Sequence, residues 1–456
     1  CFPGGRPAIG LSPLSTAASR TDRRKSMHAD QTAALFVAPL VKIGSGEAER
    51  VFDVSVGVSE SVDDPAVGAD PAREGRPGGF HLIDTTMMYA PRSGGVKRYL
   101  NAKRGWLQAR RPDIRHTLVV PGAATRVHGE GLVTVAAARL PFGDGYRMPA
   151  SPSKWAAVLR TLSPDIIEAG DVFVPGHGAM EAGEDLGVPV VGFCHTDAPS
   201  LAALHLGDWA EQPTFNFWAK AYERFDRVVA PSRHTANRLA EAGVERVSVL
   251  PLGVDTELFH PGRGDRAKLL RRLGLPGDRR LLVFAGRPAR EKNIDSMIGA
   301  VERLGAPYHL LLIGAGHGAR PSRQVSCLHF EANPESLASV IASCDAFLHA
   351  NENEIFGLVV LEAMAAGLPV VGPDKGGVGE LLDNDVGQLT SGADPASLAE
   401  AVEALFARDV DALKLAARRR AETRHSWDHT FEGLTRLYGQ LLNRTPRRTG
   451  ALAMSA

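Results

Sequence analysis

"NENEIFGLVVLEAMAAGLPVVG", residues 351–372, is the stretch on which the reading of the whole chain turns. Its second half is almost wholly apolar and breaks at Gly-Leu-Pro before a β-branched pair, as a buried helix running into a buried strand would. Two carboxylates interrupt it: Glu354, and Glu362 eight positions later. On a helix, residue 362 has Leu358, Val359, Ala365 and Ala366 as neighbours three and four positions away, and all four are apolar. A carboxylate buried there without a partner is costly, so Glu362 either reaches solvent or is met by something polar. A helical Cβ points toward the helix N-terminus, which aims Glu362 at the helix mouth near Gly357, beside the loop that carries Glu354. The free N–H groups of Phe356, Gly357, Leu358 and Val359 suit an anion such as phosphate. Two carboxylates next to a phosphate suit the hydroxyls of a sugar. The competing account is that both acids only favour the helix dipole, which fits Glu354 better than Glu362.

Working upstream, β-rich runs at 280–287, 309–316, 326–330, 345–350 and 369–374 alternate with helical patterns, including 293–305, which Asn293 is placed to cap. A similar series begins at residue 80, with runs at 80–86, 115–122, 165–170, 189–195, 227–232 and 246–253 and a helical stretch at 95–112. Strands alternating with helices imply right-handed βαβ units and parallel sheets. The expected organisation is two doubly wound α/β domains, residues 78–253 and 254–425. Ligands would bind in the cleft at the C-terminal ends of the strands. An amphipathic final helix spans 426–444. Residues 1–77, rich in Ala, Gly, Pro, Ser and Arg, read as a leader outside the fold or a mis-set start. Residues 445–456 read as a disordered tail.

The bulk composition excludes several classes. The 52 basic and 52 acidic residues cancel, which gives no basis for broad nucleic-acid binding. Four cysteines without a CxxC pair make neither a disulfide framework nor a zinc site, and Cys194, Cys327 and Cys344 lie among apolar residues as reduced, buried side chains. No apolar run has the length of a membrane span. A cytoplasmic protein is expected, with a weak peripheral contact at the inner face of a membrane as a further reading. That contact would use Lys97, Arg98, Lys103 and Arg104, for which a solvated helix face is the plainer account. There is no HExxH, EF-hand loop, P-loop or GxSxG, so no metal site is assigned.

Further groups fall at strand ends. In "AGRPAREKNID" (285–295), Gly286 follows a strand, and Arg287 and Lys292 are two cations suited to a diphosphate, or to ordinary solvation. "SGGVKRYL" (93–100) places Gly94 and Gly95 where a backbone can approach a ligand closely. His195 ends a very apolar strand, and His177 in "PGHGAM" is a weaker candidate.

Taken together, Glu354, seven residues, Glu362 and "AMAAGLPVV" resemble the E-x7-E signature of the GT4 family of retaining glycosyltransferases. "GRPAREKN" resembles its Arg-x4-Lys motif. "LPLGVDTELFHP" resembles its interdomain segment, with Leu252 in place of the usual Asn, and "SGGV" its first glycine loop. The resemblance covers residues 80–444 and implies a GT-B fold whose last helix crosses back onto the N-terminal domain. It implies a nucleotide-diphosphate sugar as co-substrate, no cofactor, and a lipid, glycan or small-molecule hydroxyl as acceptor. By the resemblance, Arg287 and Lys292 hold the diphosphate, Glu362 the ribose and Glu354 the transferred hexose, of mannose or glucose type. Phe356, Gly357 and Leu358 offer backbone amides, and Gly94 and Gly95 approach the phosphate or acceptor. Gly286 opens the phosphate loop, the base pocket falls near Phe330, and His195 stands beside the reacting sugar. The alternatives are a GT-B epimerase or phosphorylase, and a non-catalytic nucleotide-sugar-binding scaffold.

Overall fold

The structure is a computed structural model that describes residues 79–91, 93–139, 145–287, 289–314, 322–328 and 333–444. The expectations for residues 1–77, for Phe330 and for the tail lie outside these residues.

Two sheets carry the fold. The first has eight strands in the order Val247–Val249, Arg227–Ala230, Val190–Phe193, Ile166–Ala169, His81–Thr85, Arg115–Gly122, Leu132–Ala136 and Arg126–His128. All its pairs are parallel except the last. The second has six strands, all parallel: Val325–Leu328, Tyr308–Ile313, Arg280–Ala285, Ala346–Leu348, Val370–Pro373 and Gly387–Thr390. Strands such as 81–85, 308–313 and 370–373 are buried at every residue. Strands 308–313 and 370–373 therefore read as nearly continuous apolar runs rather than alternating ones, because helices cover both faces, whereas 81–85 also buries His81, Asp84 and Thr85.

In each sheet the first strand of the series lies in the middle, and the chain winds outward first on one side and then on the other. The reversal falls between Arg280–Ala285 and Ala346–Leu348 in the second sheet, and between His81–Thr85 and Ile166–Ala169 in the first. Loops that leave a reversal point diverge and open a crevice at the carboxyl ends of the strands. The loops after Ala285 and Leu348 carry Gly286, Arg287, Lys292 and Glu354, and the loop after Thr85 carries Gly94 and Gly95.

The helix Trp427–Arg444 returns to the first sheet's side. Trp106 Nε1 donates to Asp428 at 2.6 Å, and the Thr430 hydroxyl donates to the Pro251 carbonyl at 2.8 Å. Gly253 is where the chain crosses between sheets: a Cβ there would lie 2.4 Å from the Trp427 nitrogen.

On the basic face of the helix Gly95–Arg110, Lys97 and Arg104 stay partly exposed, but Lys103 and Arg98 depart from the solvated surface that the sequence suggested. Lys103 is fully buried, with Nζ 2.7 Å from Asp84, 2.9 Å from Glu168 and 2.8 Å from the Tyr438 hydroxyl. Arg98 reaches across to the other domain. Asn293 also departs from expectation. It occupies the N-cap of Ile294–Leu304 in left-handed conformation, but its side chain donates to the Ala350 carbonyl at 2.8 Å instead of capping. It thereby ties the Lys292 loop to the strand end before Glu354. Cys194, Cys327 and Cys344 are free thiols, with Cys327 only half-buried.

Candidate active site

Seven helices here begin with a capping side chain: Ser151, Asp197, Ser232, Asp265, Asn333, Asp394 and Asp409 each accept a backbone N–H. The helices Gly95–Arg110 and Leu358–Ala365 do not, and neither do those that start at Val174, Glu211, Ile294 and Gly376. The N-caps of the first two are Gly94 and Gly357, and no side chain satisfies their first amides. These two mouths face each other: a Cβ on Gly95 would lie 3.9 Å from Leu358 Cδ2, with nothing nearer. Gly357 has φ +92°, so glycine relieves a turn that would strain other residues. Two uncapped helix N-termini across a crevice suit an anion.

The charged groups gather beside it. Lys292 Nζ lies 2.6 Å from Glu354 Oε2, and the Asn351 amide donates to the same oxygen at 3.0 Å. Burial pushes the Glu354 carboxyl up, but Lys292, His349 and these hydrogen bonds outweigh it and hold the carboxyl down at about 2. Arg287 is half-exposed and 3.2 Å from Glu291, itself mostly buried. Gly286 is glycine because a Cβ would lie 2.9 Å from the Phe284 ring.

Glu362 is 2% exposed, and what meets it is the Arg98 guanidinium on Oε1. Oε2 is buried with no hydrogen-bond partner among the described residues. Burial raises the Glu362 carboxyl above its ordinary value, against the pull of Arg98. Phe356 is buried, packed edge-on against His425 at 6.2 Å.

His195 stands at the end of Val190–Phe193, stacked on Phe193 at 4.1 Å and 5.0 Å from the Tyr99 ring. Its Nε2 has no partner among the described residues, and burial, with Lys103 nearby, lowers its pKa to about 3. The imidazole is neutral at ordinary pH. His177 is structural: its Nδ1 meets the Phe173 carbonyl at 3.0 Å, and its ring stacks on Phe217.

Sequence reasoning did not single out several residues of this site. Gly376 and Gly377 pack backbone to backbone under the Glu354 loop. A Cβ on Gly377 would lie 2.0 Å from the Ile355 oxygen, and Gly377 N–H donates to the Glu354 carbonyl at 2.6 Å. The glycine pair in "DKGGVGE" was the available signal. Glu380, in the same segment, accepts from the amides of Arg233 and His234 at 3.0 and 2.5 Å, and Ser232 donates to the Ile355 carbonyl at 2.7 Å, so this loop also braces the other domain. His349 is fully buried, its Nε2 3.9 Å from Glu354.

Two doubly wound domains, with cations and carboxylates gathered at their reversal points, have the architecture of a GT-B glycosyltransferase. Residues 93–258 match Glycosyltransferase Family 4, and residues 265–425 match Glycosyl transferases group 1. The chain is 30% identical over 357 residues to a GDP-mannose-dependent alpha-(1-6)-phosphatidylinositol dimannoside mannosyltransferase of Mycobacterium tuberculosis, covering 75% of this chain and 92% of that one. It is 33% identical over 229 residues to a GDP-mannose-dependent alpha-mannosyltransferase of the same species, covering 49% of this chain and 59% of the relative, so that match spans less than two thirds of its length. The fold is similar to that of sucrose-phosphate synthase from Thermosynechococcus elongatus, with TM-score 0.68 at 18% identity over 80% of this chain and 99% of that one. The chain belongs to glycosyltransferase family 4. No described helix is long and apolar enough to cross a membrane.

Proposed function

We propose that this glycosyltransferase moves mannose, with retention of anomeric configuration, from GDP-mannose to a hydroxyl of a lipid or glycan acceptor. The observation that carries the reading is the pair of facing, uncapped helix mouths at Gly95 and Leu358, set beside Lys292, Glu354 and Glu362. Mannose and guanine come from the relatives, both named as GDP-mannose-dependent. A lipid acceptor follows from the phosphatidylinositol dimannoside enzyme.

Charge dictates the roles. The leaving group is a nucleoside diphosphate, so negative charge grows on it as the glycosidic bond breaks. Arg287, Lys292 and the amides at residues 357–359 stabilise that charge in place before reaction. Glu362 accepts hydrogen bonds from the ribose diol, each worth about 1.5–3 kcal/mol to a charged acceptor. Glu354, ionised at any working pH, does the same for the transferred sugar. Neutral His195 and the glycine loop face the reacting sugar from the other domain. Retention follows from attack on the face the diphosphate leaves, with a departing phosphate oxygen taking the acceptor's proton.

The test is calorimetric binding of GDP, UDP and ADP, repeated with Glu362→Gln, followed by mannose transfer read by the NMR coupling at the new anomeric carbon. GDP binding weakened roughly 10- to 100-fold by the substitution, and an α-linked product, is the expected result. Binding of no nucleotide, or an inverted product, refutes the proposal. Because cations and amides carry the leaving-group charge, EDTA is expected to leave turnover unchanged.

A further inference from the structure

Arg98 sits in the first turn of the helix Gly95–Arg110, beside Lys97. Cations at a helix N-terminus face the positive end of the dipole and are disfavoured there. No acidic residue stands in that turn, and the N-cap is a bare glycine. What balances Arg98 comes from the other domain, 264 residues away: the Glu362 carboxylate. That balance is incomplete, since Glu362 keeps Oε2 buried and without a partner among the described residues, while the Arg98 side chain is 38% exposed. A guanidinium has five N–H donors, and Glu362 engages Arg98 at one nitrogen.

A ribose diol brings two O–H donors, and a carboxylate meets a vicinal diol most readily with one hydroxyl on each oxygen. One of those oxygens is held by Arg98. The diol therefore competes with a cation for the same acceptor and is the weaker competitor, being neutral. A diphosphate alters the outcome. The uncapped mouth that carries Arg98 faces the mouth at Leu358, so an anion bridging them lies within one turn of Arg98.

We infer that Arg98 is a donor-binding residue supplied by the N-terminal domain, which releases Glu362 to the ribose and takes the donor's diphosphate in exchange. Recognition of the ribose is thereby coupled to recognition of the phosphates. A nucleoside pays the displacement of Arg98 with nothing in return, whereas the diphosphate gives the guanidinium a new partner. This rests on the reading of Glu362 as the ribose ligand.

The experiment compares guanosine, read by saturation-transfer NMR, with GDP, read by calorimetry, in the wild type, Arg98→Met, Arg98→Lys and Glu362→Gln. UDP with uridine, or ADP with adenosine, takes their place if that is the base bound. The expected result is a crossed one. Arg98→Met binds guanosine several-fold more tightly and GDP at least roughly tenfold more weakly, and Arg98→Lys recovers part of the GDP loss. Both ligands moving in the same direction, or neither moving, overturns the exchange. Glu362→Gln separates the two readings: if it leaves guanosine binding unchanged, the ribose assignment fails, whatever Arg98 does. Arg98→Met leaves buried Glu362 without its cation, so a thermal melt verifies that the variant folds, and Arg98→Lys keeps the charge as a folded comparison.

Discussion

Replacing Lys103 by Met tests how the last helix is joined to the first domain. Nζ is buried between Asp84 and Glu168 at 2.7 and 2.9 Å and bonds Tyr438 at 2.8 Å. Met fills much of the same volume but leaves two buried carboxylates without their cation. Removing one partner of a buried pair costs about 3–5 kcal/mol. The Tyr99 and Tyr438 hydroxyls still serve Glu168, and His116 still meets Asp84 at 2.7 Å, so the lower end, about 3 kcal/mol, is expected. Burial already raises the Glu168 carboxyl, and losing Lys103 raises it further. A carboxyl raised in the folded state contributes stability that is present below its unfolded pKa and lost as pH rises through the folded value. The variant's deficit should therefore grow from pH 5 to pH 8. Urea unfolding at both pH values measures it, and adding Glu168→Gln should restore part of the loss at pH 8. A deficit below about 1 kcal/mol at pH 8, or one that shrinks as pH rises, would refute the account.

Arg287→Ala and Lys292→Ala should each lower turnover by roughly 10²-fold, and near-normal kcat in either removes that residue from the leaving-group site. Gly94→Ala and Gly95→Ala meet nothing closer than 3.9 Å, so melting should be unchanged while GDP binding weakens; unaltered binding would show that no ligand approaches that backbone. Gly377→Ala drives a Cβ into the Ile355 carbonyl and should cost about 1–3 kcal/mol together with turnover, because the Glu354 loop must move. His81, His195 and His349 are lowered to about 4, 3 and 4, mainly by burial. The unfolded chain binds those protons first, so their contribution to stability, present above pH 6.5, should fade as pH falls toward 4, and tryptophan fluorescence across that range checks it.

The two-sheet fold was legible because parallel strands buried on both faces leave unbroken apolar runs, and turns and helix patterns separate them. Glu354 and Lys292 were legible because each lies in a loop after a strand, where ligands gather, and the structure pairs them; Glu362 was legible as an acid inside an apolar helix, and Arg287 is joined to Glu291 instead. Lys103 was not legible. "GVKRYLNAKRGW" carries four cations on one helix, and nothing local distinguishes the one that is buried. Its burial is decided by Tyr438, 335 residues later, and by two acids on different strands. Asn293 was misread for a related reason: a capping preference is local, and the Ala350 carbonyl offered a partner 57 residues away.

The opening puzzle, why an acid stands in an apolar helix, has a broader answer than a single contact. Within the protein, both acids are held by cations, Glu354 by Lys292 and Glu362 by Arg98. A site that gathers this much charge for a ligand must keep it neutral when the ligand leaves, because unpaired buried charge is costly. The acids balance the cations, and Lys292 helps to hold Glu354 ionised, whereas at Glu362 burial outweighs the pull of Arg98. On the proposed function, a nucleotide sugar would exchange both pairs at once, phosphate for carboxylate on the cations and hydroxyl for cation on the acids. A fragment with only one of those halves would complete only half of the exchange, which would make sugar and phosphate recognition cooperative through the protein's own ion pairs.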